Sequence, residues 1–462
     1  MIPKANDKEE LFETYPIPKA VAFLAVPMVL SSLVSVFYSL SDTYFVGLLN
    51  EPVQTASVTL AAPVLLAFNS MNNLFGVGSS SMMSRALGRK DYDTVRRCSA
   101  FGFYGALICG ILFAVLCTAG RMPLLKLLGA DADTITATSA YLNWTVSIGA
   151  VPAILNMVMA SMIRSEGAAL HASIGIMSGC FLNIILDPFF ILPQWLGMQA
   201  EGAAIATLLS NCGAHVYFLT YLYLRRGRTS VCILPGYFSL RKDIVTGVFT
   251  VGIPALIQNI LNVFSSIILN SLASVHGATA LAAMGICIRI NMVPMYVAMG
   301  ISHGIMPLIG YNYASKNILR MKTSLIFTAR ISLFLSIIAS VFFFFYPGFF
   351  VRQFIADGET VALGTQFLRG FSLALPFLCL DFLAVITFQA IGKGKEALIF
   401  ALMRKLVFEL PLLYLLNWLF PLYGLPYALP IAEIMMAMIA SLVLMQLFQR
   451  EPITFERRKY EI

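Results

Sequence analysis

Charge is what this sequence has least of. Of its 462 residues only 12% are Asp, Glu, Lys or Arg, against 59% hydrophobic. So few charges cannot clothe a water-exposed surface of this size, which excludes a soluble protein of two or three domains. Histidine is scarce too, with four in all. His215 and His303 stand alone without metal-ligand spacing, so both are expected as hydrogen-bonded core histidines. The eight cysteines are scattered, mostly inside apolar runs, with no pair at two-residue spacing. They read as packing residues, not as disulfides or metal ligands. Also absent are a nucleotide-binding glycine loop, a metal cluster and a nucleophile–base pair, so no enzyme and no cofactor are expected. A primary pump would need a separate ATPase partner. Residues 1–19 are polar and mixed in charge rather than a basic segment running into a short apolar core, and no signal peptide is expected.

What is present in quantity is apolar sequence, with a mean hydropathy of +0.82. At roughly 20 apolar residues per membrane-spanning helix, the length accommodates about twelve spans and little else. Apolar runs bounded by charge or by Gly and Pro fall at 20–47, 57–83, 99–119, 137–163, 170–192, 200–224, 244–272, 279–308, 328–347, 366–391, 397–420 and 424–448. The net charge of +8 lies in short clusters between them. That is where the positive-inside rule puts basic residues, so no nucleic-acid partner is expected. With the amino terminus taken as cytoplasmic, 26 of the 31 Lys and Arg, Arg404 and Lys405 among them, fall on the inner side. Only Arg121, Lys126, Arg352 and Arg369 fall outside, and Arg289 alone is left within a span. Both termini are therefore expected in the cytoplasm.

The chain also repeats itself. Sliding one half over the other at an offset near 225 pairs Val26-Pro27 with Ile253-Pro254 and Val36-Phe37 with Val263-Phe264. Pro152 pairs with Pro376, Gly167 with Gly392, Pro188 with Pro411, and Gly202 and Ala206 with Gly424 and Ala428. Six spans per copy make the copies parallel, related by an axis along the membrane normal, with a central cleft between them. The expected fold is an all-α membrane protein of twelve transmembrane helices in two six-helix lobes. Its parts are a cytoplasmic segment 1–19, an amino lobe 20–224, a linker 225–243, a carboxy lobe 244–448 and a tail 449–462.

A carboxylate at mid-bilayer costs about 2.5–3.5 kcal/mol or more, so each one needs a partner, a water-filled cavity or a task. Asp42 shares one face of the first span with Ser35 and Ser39, at spacings of three and four. Asp187 lies one turn from Asn183 and directly before Pro188, whose missing N–H frees the Ile184 carbonyl. The sixth span offers Thr207 and Asn211, four apart. Carboxylate, amide, hydroxyl and backbone oxygens suit a hard monovalent cation, and a desolvated Asp can also carry a proton, so this set is expected to bind Na⁺ or H⁺. Glu166, at the inner mouth beside Arg164, is a candidate for proton entry. In the second half Asp381, Glu409, Glu433 and Arg289 fall in or near spans; mutual structural pairing is the expected account, with Arg289 positioned in sequence to neutralise one of the acids, and Asp381 is the best functional candidate among them. Met292, Met295 and Met299 recur with Met306 at helical spacing on the eighth span. With Ser39 and Asn211 they are expected to line a cleft able to re-pack around varied ligands.

Several segments, in this order and spacing, carry a family resemblance over nearly the whole chain. They are Ser41-Asp42-Thr43-Tyr44-Phe45-Val46-Gly47 after Pro27, Arg164-Ser165-Glu166-Gly167, Asn183-Ile184-Ile185-Leu186-Asp187-Pro188, Gly202-Ala203-Ala204-Ile205-Ala206-Thr207 and Gly310-Tyr311-Asn312-Tyr313. The sequence resembles the multidrug and toxic compound extrusion (MATE) family of the multidrug/oligosaccharidyl-lipid/polysaccharide flippase superfamily, and its MepA-type bacterial branch. The resemblance implies a monomeric exporter in the bacterial plasma membrane, in contact with its lipid. It would expel lipophilic organic cations in exchange for H⁺ or Na⁺ by rocking its lobes. It also implies that Asp42, Asn183, Asp187 and Thr207 are the cation ligands of the amino lobe. Members with a carboxy-lobe site have a Glu on the seventh helix and an Asp on the tenth. Here the seventh offers Gln258, Asn259, Asn262 and Asn270 but no carboxylate, which argues against a site of that kind. The rival within the superfamily is a lipid-linked oligosaccharide flippase, which Arg289 alone favours. A channel is the rival outside it, and it would more naturally repeat its charge in each half.

Overall fold

The computed structural model describes residues 5–49 and 51–450. The expected tail 449–462 therefore lies almost wholly outside the described residues. Among those described, regular structure is entirely helical. A short helix α1 (Ala5–Glu13) precedes α2 (Ile17–Gly47), α3 (Pro52–Gly88), α4 (Tyr92–Ala119), α5 (Ile135–Ile148 joined at a 49° bend to Ala150–Ser165), α6 (Ala169–Ile191) and α7 (Gln199–Leu224). The second half gives α8 (Lys242–Ser274), α9 (Ala278–Ala314), α10 (Ile318–Phe345) and α11 (Gly358–Ser372 joined at 45° to Leu375–Ala390). It ends with α12 (Gly394–Leu402, Met403–Glu409 and Leu410–Leu419 in succession) and α13 (Leu425–Arg450).

Nine of these helices are long and apolar enough to cross a membrane, eleven with the two bent pairs. Apart from the short α1, the one left is α12, which is interrupted at its centre by a π-helical segment, Met403–Glu409, that carries Arg404, Lys405 and Glu409. The sequence reading placed Arg404 and Lys405 among inner-loop cations, and the structure corrects it. Both are buried inside the carboxy lobe, Arg404 at 3% exposure. Each faces a carboxylate that the linear sequence does not put beside it or that lies one turn along the same helix.

Helix boundaries follow local chemistry. Asp91 caps α4 by accepting from the Thr94 backbone N–H at 3.1 Å, and Asp357 caps α11 by accepting from that of Thr360 at 2.8 Å. Prolines inside α2, α6 and α8, at Pro27, Pro188 and Pro254, each remove one intrahelical hydrogen bond.

The two lobes meet at the end of the bundle that carries the basic clusters, called here the basic end. Gly300 and Gly304, four apart on α9, let that helix lie directly on α2. A Cβ at Gly304 would stand 2.7 Å from the Ala25 Cα, and one at Gly300 would stand 3.0 Å from the Val29 Cα. The close crossing of small residues supplies packing where lipid offers no hydrophobic drive. Asn259 donates to the Ser70 hydroxyl at 3.0 Å, and Phe249 sets its ring edge against Phe75 and Phe101. Helix α1 crosses this seam. Phe12 stacks on Tyr311 of α9 at 4.9 Å, Glu13 accepts from the Tyr311 hydroxyl, and Arg320 of α10 donates to the Phe12 and Tyr15 carbonyls. On the other lobe, Glu9 accepts from Tyr92 and, with Glu13, pairs with Lys90.

Candidate ion-coupling site

Helices α2, α6 and α7 pack side by side in the amino lobe and bring the four expected ligands to one place. Asn183 and Asp187 are fully buried on the same face of α6, one turn apart as their spacing requires. Thr207 reaches them from α7, accepting from the Asn183 side-chain amide at 3.4 Å. Asp42 projects from α2 close enough to Asp187 for the two charges to interact. Both Asp187 carboxylate oxygens, Asn183 Oδ1 and Asp42 Oδ1 are buried and accept no hydrogen bond of good geometry among the described residues. Buried oxygens are normally satisfied, so four orphaned acceptors converging from two helices form an electron-rich cage. Such a cage fits a bound cation or a proton shared between the carboxyl groups.

The structure adds two tyrosines that the sequence reading did not name. Tyr38 stands one turn before Asp42 on α2, with its hydroxyl by Thr207 and in the electrostatic field of both carboxylates. Tyr141, on α5 and 2% exposed, lies within electrostatic range of Asp42, Asp187 and Tyr38. The spacing of four between Tyr38 and Asp42 was legible in the sequence; the approach of Tyr141 depends on how α5 packs. Ser35 lies near the Cys180 thiol at 3.8 Å, whereas Ser39 is exposed. Asn211 accepts from Asn156 at 2.7 Å through its backbone carbonyl and at 3.2 Å through its side chain, which ties α7 to α5.

The other expected residues lie apart from this cage. Glu166 is 2% exposed and accepts from Tyr221 at 3.2 Å, from the Thr229 hydroxyl at 2.9 Å and from the Ser230 backbone N–H at 2.8 Å. It thus fastens the segment between the lobes to the amino lobe. Met292, Met295 and Met299 are half-buried along α9. Arg289 corrects an expectation: it is exposed and makes no ion pair among the described residues. Asp381 is neutralised instead by Arg404, 2.9 Å away.

Comparison with known proteins agrees with this architecture. The MatE family model matches residues 27–189 and again 254–415, so the second match begins 227 positions after the first. Multidrug export protein MepA of Staphylococcus saprophyticus is 32% identical over 439 residues, spanning 95% of this chain and 96% of the relative. The MepA protein of Staphylococcus aureus is 31% identical over 439 residues with the same coverage. A solved structure described as the outward-facing conformation of a multidrug resistance MATE family transporter of the MOP superfamily superposes with a TM-score of 0.90. It is 24% identical, with 96% of this chain and 98% of that one aligned. A MOP superfamily transporter from Pyrococcus furiosus, described as having a binding pocket of reverse polarity, gives 0.89 at 24% identity and the same coverage. Both establish the fold. Twelve helices in two lobes, a matched sequence repeat and full-length relatives at over 30% identity lead to one conclusion: this chain is a multi-pass membrane transporter that belongs to the MatE family, of the MepA type.

Proposed function

We propose that the protein exports lipophilic organic cations in exchange for inward H⁺ or Na⁺, with the coupling ion held by Asp42, Asn183, Asp187 and Thr207. The observation that carries this reading is the group of orphaned, buried oxygens on Asp42, Asn183 and Asp187. Two carboxylates facing each other in a low-dielectric lobe repel unless a positive charge joins them. A coupling ion or proton relieves that repulsion, and a cationic drug in the neighbouring cleft relieves part of it as well. Each therefore lowers the affinity for the other, which is the exchange an antiporter needs. The named function of the MepA relatives supports the choice of drugs as cargo.

Opening and closing follow from the same geometry. The lobes touch at the basic end, which the positive-inside rule places in the cytoplasm. Ion binding from outside favours separation there; the ion is then discharged inward, and loading a drug favours closure and export. Parting and re-forming the α2–α9 crossing alternates the two.

The test is ethidium efflux from vesicles containing the purified protein, with a proton gradient or a sodium gradient imposed separately. Efflux driven by one ion identifies the coupling ion. Asp187→Asn removes one charge of the cage at nearly constant volume and is expected to abolish coupled efflux while leaving insertion intact. Wild-type efflux by this variant under the same gradient would refute the site.

A further inference from the structure

The carboxy lobe holds a buried charged centre that this coupling scheme does not use. Asp381 of α11, Arg404, Lys405 and Glu409 of α12, and Glu433 of α13 are all buried. Arg404 Nη1 lies 2.9 Å from Asp381 Oδ2 and 3.6 Å from Glu433 Oε1, while Nη2 donates to Asn262 Oδ1 of α8 at 3.0 Å. The guanidinium also lies over the Phe382 ring, 5.8 Å from its centroid. Lys405 Nζ meets Glu409 Oε2 at 2.6 Å, and Ser265 of α8 donates to the other Glu409 oxygen.

Three carboxylates therefore face two cations. Arg404 lies closer to Asp381 than to Glu433, and Lys405 meets Glu409, so one acid is in surplus and Glu433 is the most weakly paired of the three. It is fully buried, and neither of its oxygens accepts a hydrogen bond among the described residues. The charged groups that act on it are Arg404, Lys405 and Glu409 from α12 and Asp381 from α11; Asn262 and Ser265 of α8 are neutral. A buried carboxylate without a free counter-charge takes up a proton in preference to staying ionised.

The sequence repeat shows that packing does not require charge here. Pairing Gly202 with Gly424 sets Glu433 opposite Asn211, and pairing Pro152 with Pro376 brings Asp381 within one residue of the position of Asn156. In the amino lobe that position is filled by the neutral Asn156–Asn211 contact. The carboxy lobe has replaced an amide pair with an acid pair and threaded an arginine between them.

We propose that Glu433 is a second ion-handling site which binds and releases one proton and does not take Na⁺. The tethered guanidinium of Arg404 already stands where a metal cation would have to sit, so a second fixed positive charge is repelled. A proton, bound covalently to the carboxylate oxygen, is not displaced by it. On release, the O–H bond breaks, the proton passes to water, and Arg404 turns one N–H toward the new carboxylate while keeping Asp381 as its other acceptor. This site differs from one built on a seventh-helix carboxylate, since α8 contributes only the Asn262 amide and the Ser265 hydroxyl.

The test is pH-difference infrared spectroscopy of the full chain in lipid, reading the C=O stretch of a protonated carboxylic acid. The Asp42→Asn/Asp187→Asn double variant silences the amino-lobe carboxyl groups without touching the carboxy lobe. The expected result is that one protonated-acid band persists in it, is unchanged by added Na⁺, and is lost when Glu433→Gln is added. Glu433→Asp, which keeps the acid on a shorter arm, is expected to shift the band and serves if the Gln variant misfolds. Absence of the band in the double variant, its displacement by Na⁺, or its indifference to both Glu433 substitutions overturns the proposal. Dye efflux by Asp187→Asn reports on the amino-lobe reading alone, so the two can fail separately.

Discussion

At the residue scale, the polar side chains inside this protein divide by whether their hydrogen-bonding capacity is used up. Glu166 is saturated. Its donors include Tyr221 and two groups of the segment between the lobes, so its charge holds chain connectivity in place. Hydrogen bonds to a charged group contribute about 1.5–3 kcal/mol each. Glu166→Gln keeps the shape but removes the charge and one acceptor. It is expected to speed tryptic cleavage at Arg225, Arg226 and Arg228 severalfold while dye efflux persists, and limited proteolysis of membrane vesicles checks this. Asp187 is the opposite case, with both oxygens buried and without a well-formed hydrogen bond among the described residues. Its spacing from Asn183 and the adjoining Pro188 singled it out in the sequence, because a carboxylate in an apolar run needs a reason. Glu166 was equally visible, but its partners lie 55 to 64 residues away, and no local pattern encodes them.

At the element scale, caps and clasps set how helices begin and where they attach. The Thr94 side-chain hydroxyl beside Asp91, and then the Thr94 backbone N–H, hold the Asp91 carboxyl below the usual carboxylate range. A depressed pKa means a contribution that is complete above the ordinary carboxylate pKa and fades as pH falls through the lower, folded value. Asp91→Ala is expected to cost roughly 1 kcal/mol at neutral pH. The difference from wild type should shrink on acidification below the ordinary carboxylate pKa, which thermal unfolding in detergent at a series of pH values measures. Helix α1 makes a different kind of attachment. Phe12 is 2% exposed and stacked on Tyr311, and the same helix meets Lys90 and Tyr92 across the seam. Truncating a buried Phe to Ala costs about 3–5 kcal/mol. Phe12→Ala is therefore expected to release α1 and raise the alkylation rate of a cysteine introduced at Ser302 by at least about tenfold. An unchanged rate would show that α1 does not hold the basic end closed. The α1 clasp was not legible in the sequence, which showed only a short polar segment ahead of the first apolar run.

At the scale of the whole molecule, the lobes are joined by a seam at one end, and transport depends on parting it. The seam is built on backbone proximity. Gly304 packs against Ala25 with no room for a side chain. Gly304→Val is expected to wedge α9 from α2, hold the basic end apart and abolish efflux in a protein that still inserts. Spin labels placed across the seam should report a longer distance in this variant, and an unaltered distance with normal efflux would contradict the rocking scheme. The sequence by itself determined twelve apolar segments, their pairing into two repeats and the intramembrane acids of the amino lobe. Hydropathy, the side-chain period of a helix and the cost of a buried charge are local properties, and each is written in a window of twenty residues or fewer. Tertiary structure alone decided which charges meet. It turned Arg404 from an apparent loop cation into the buried partner of Asp381, left Arg289 exposed, and packed Tyr141 near the aspartates. The physical reason is that an ion pair inside a membrane protein is fixed by which helices are neighbours. Neighbours separated by tens to hundreds of residues are selected by packing over the whole bundle.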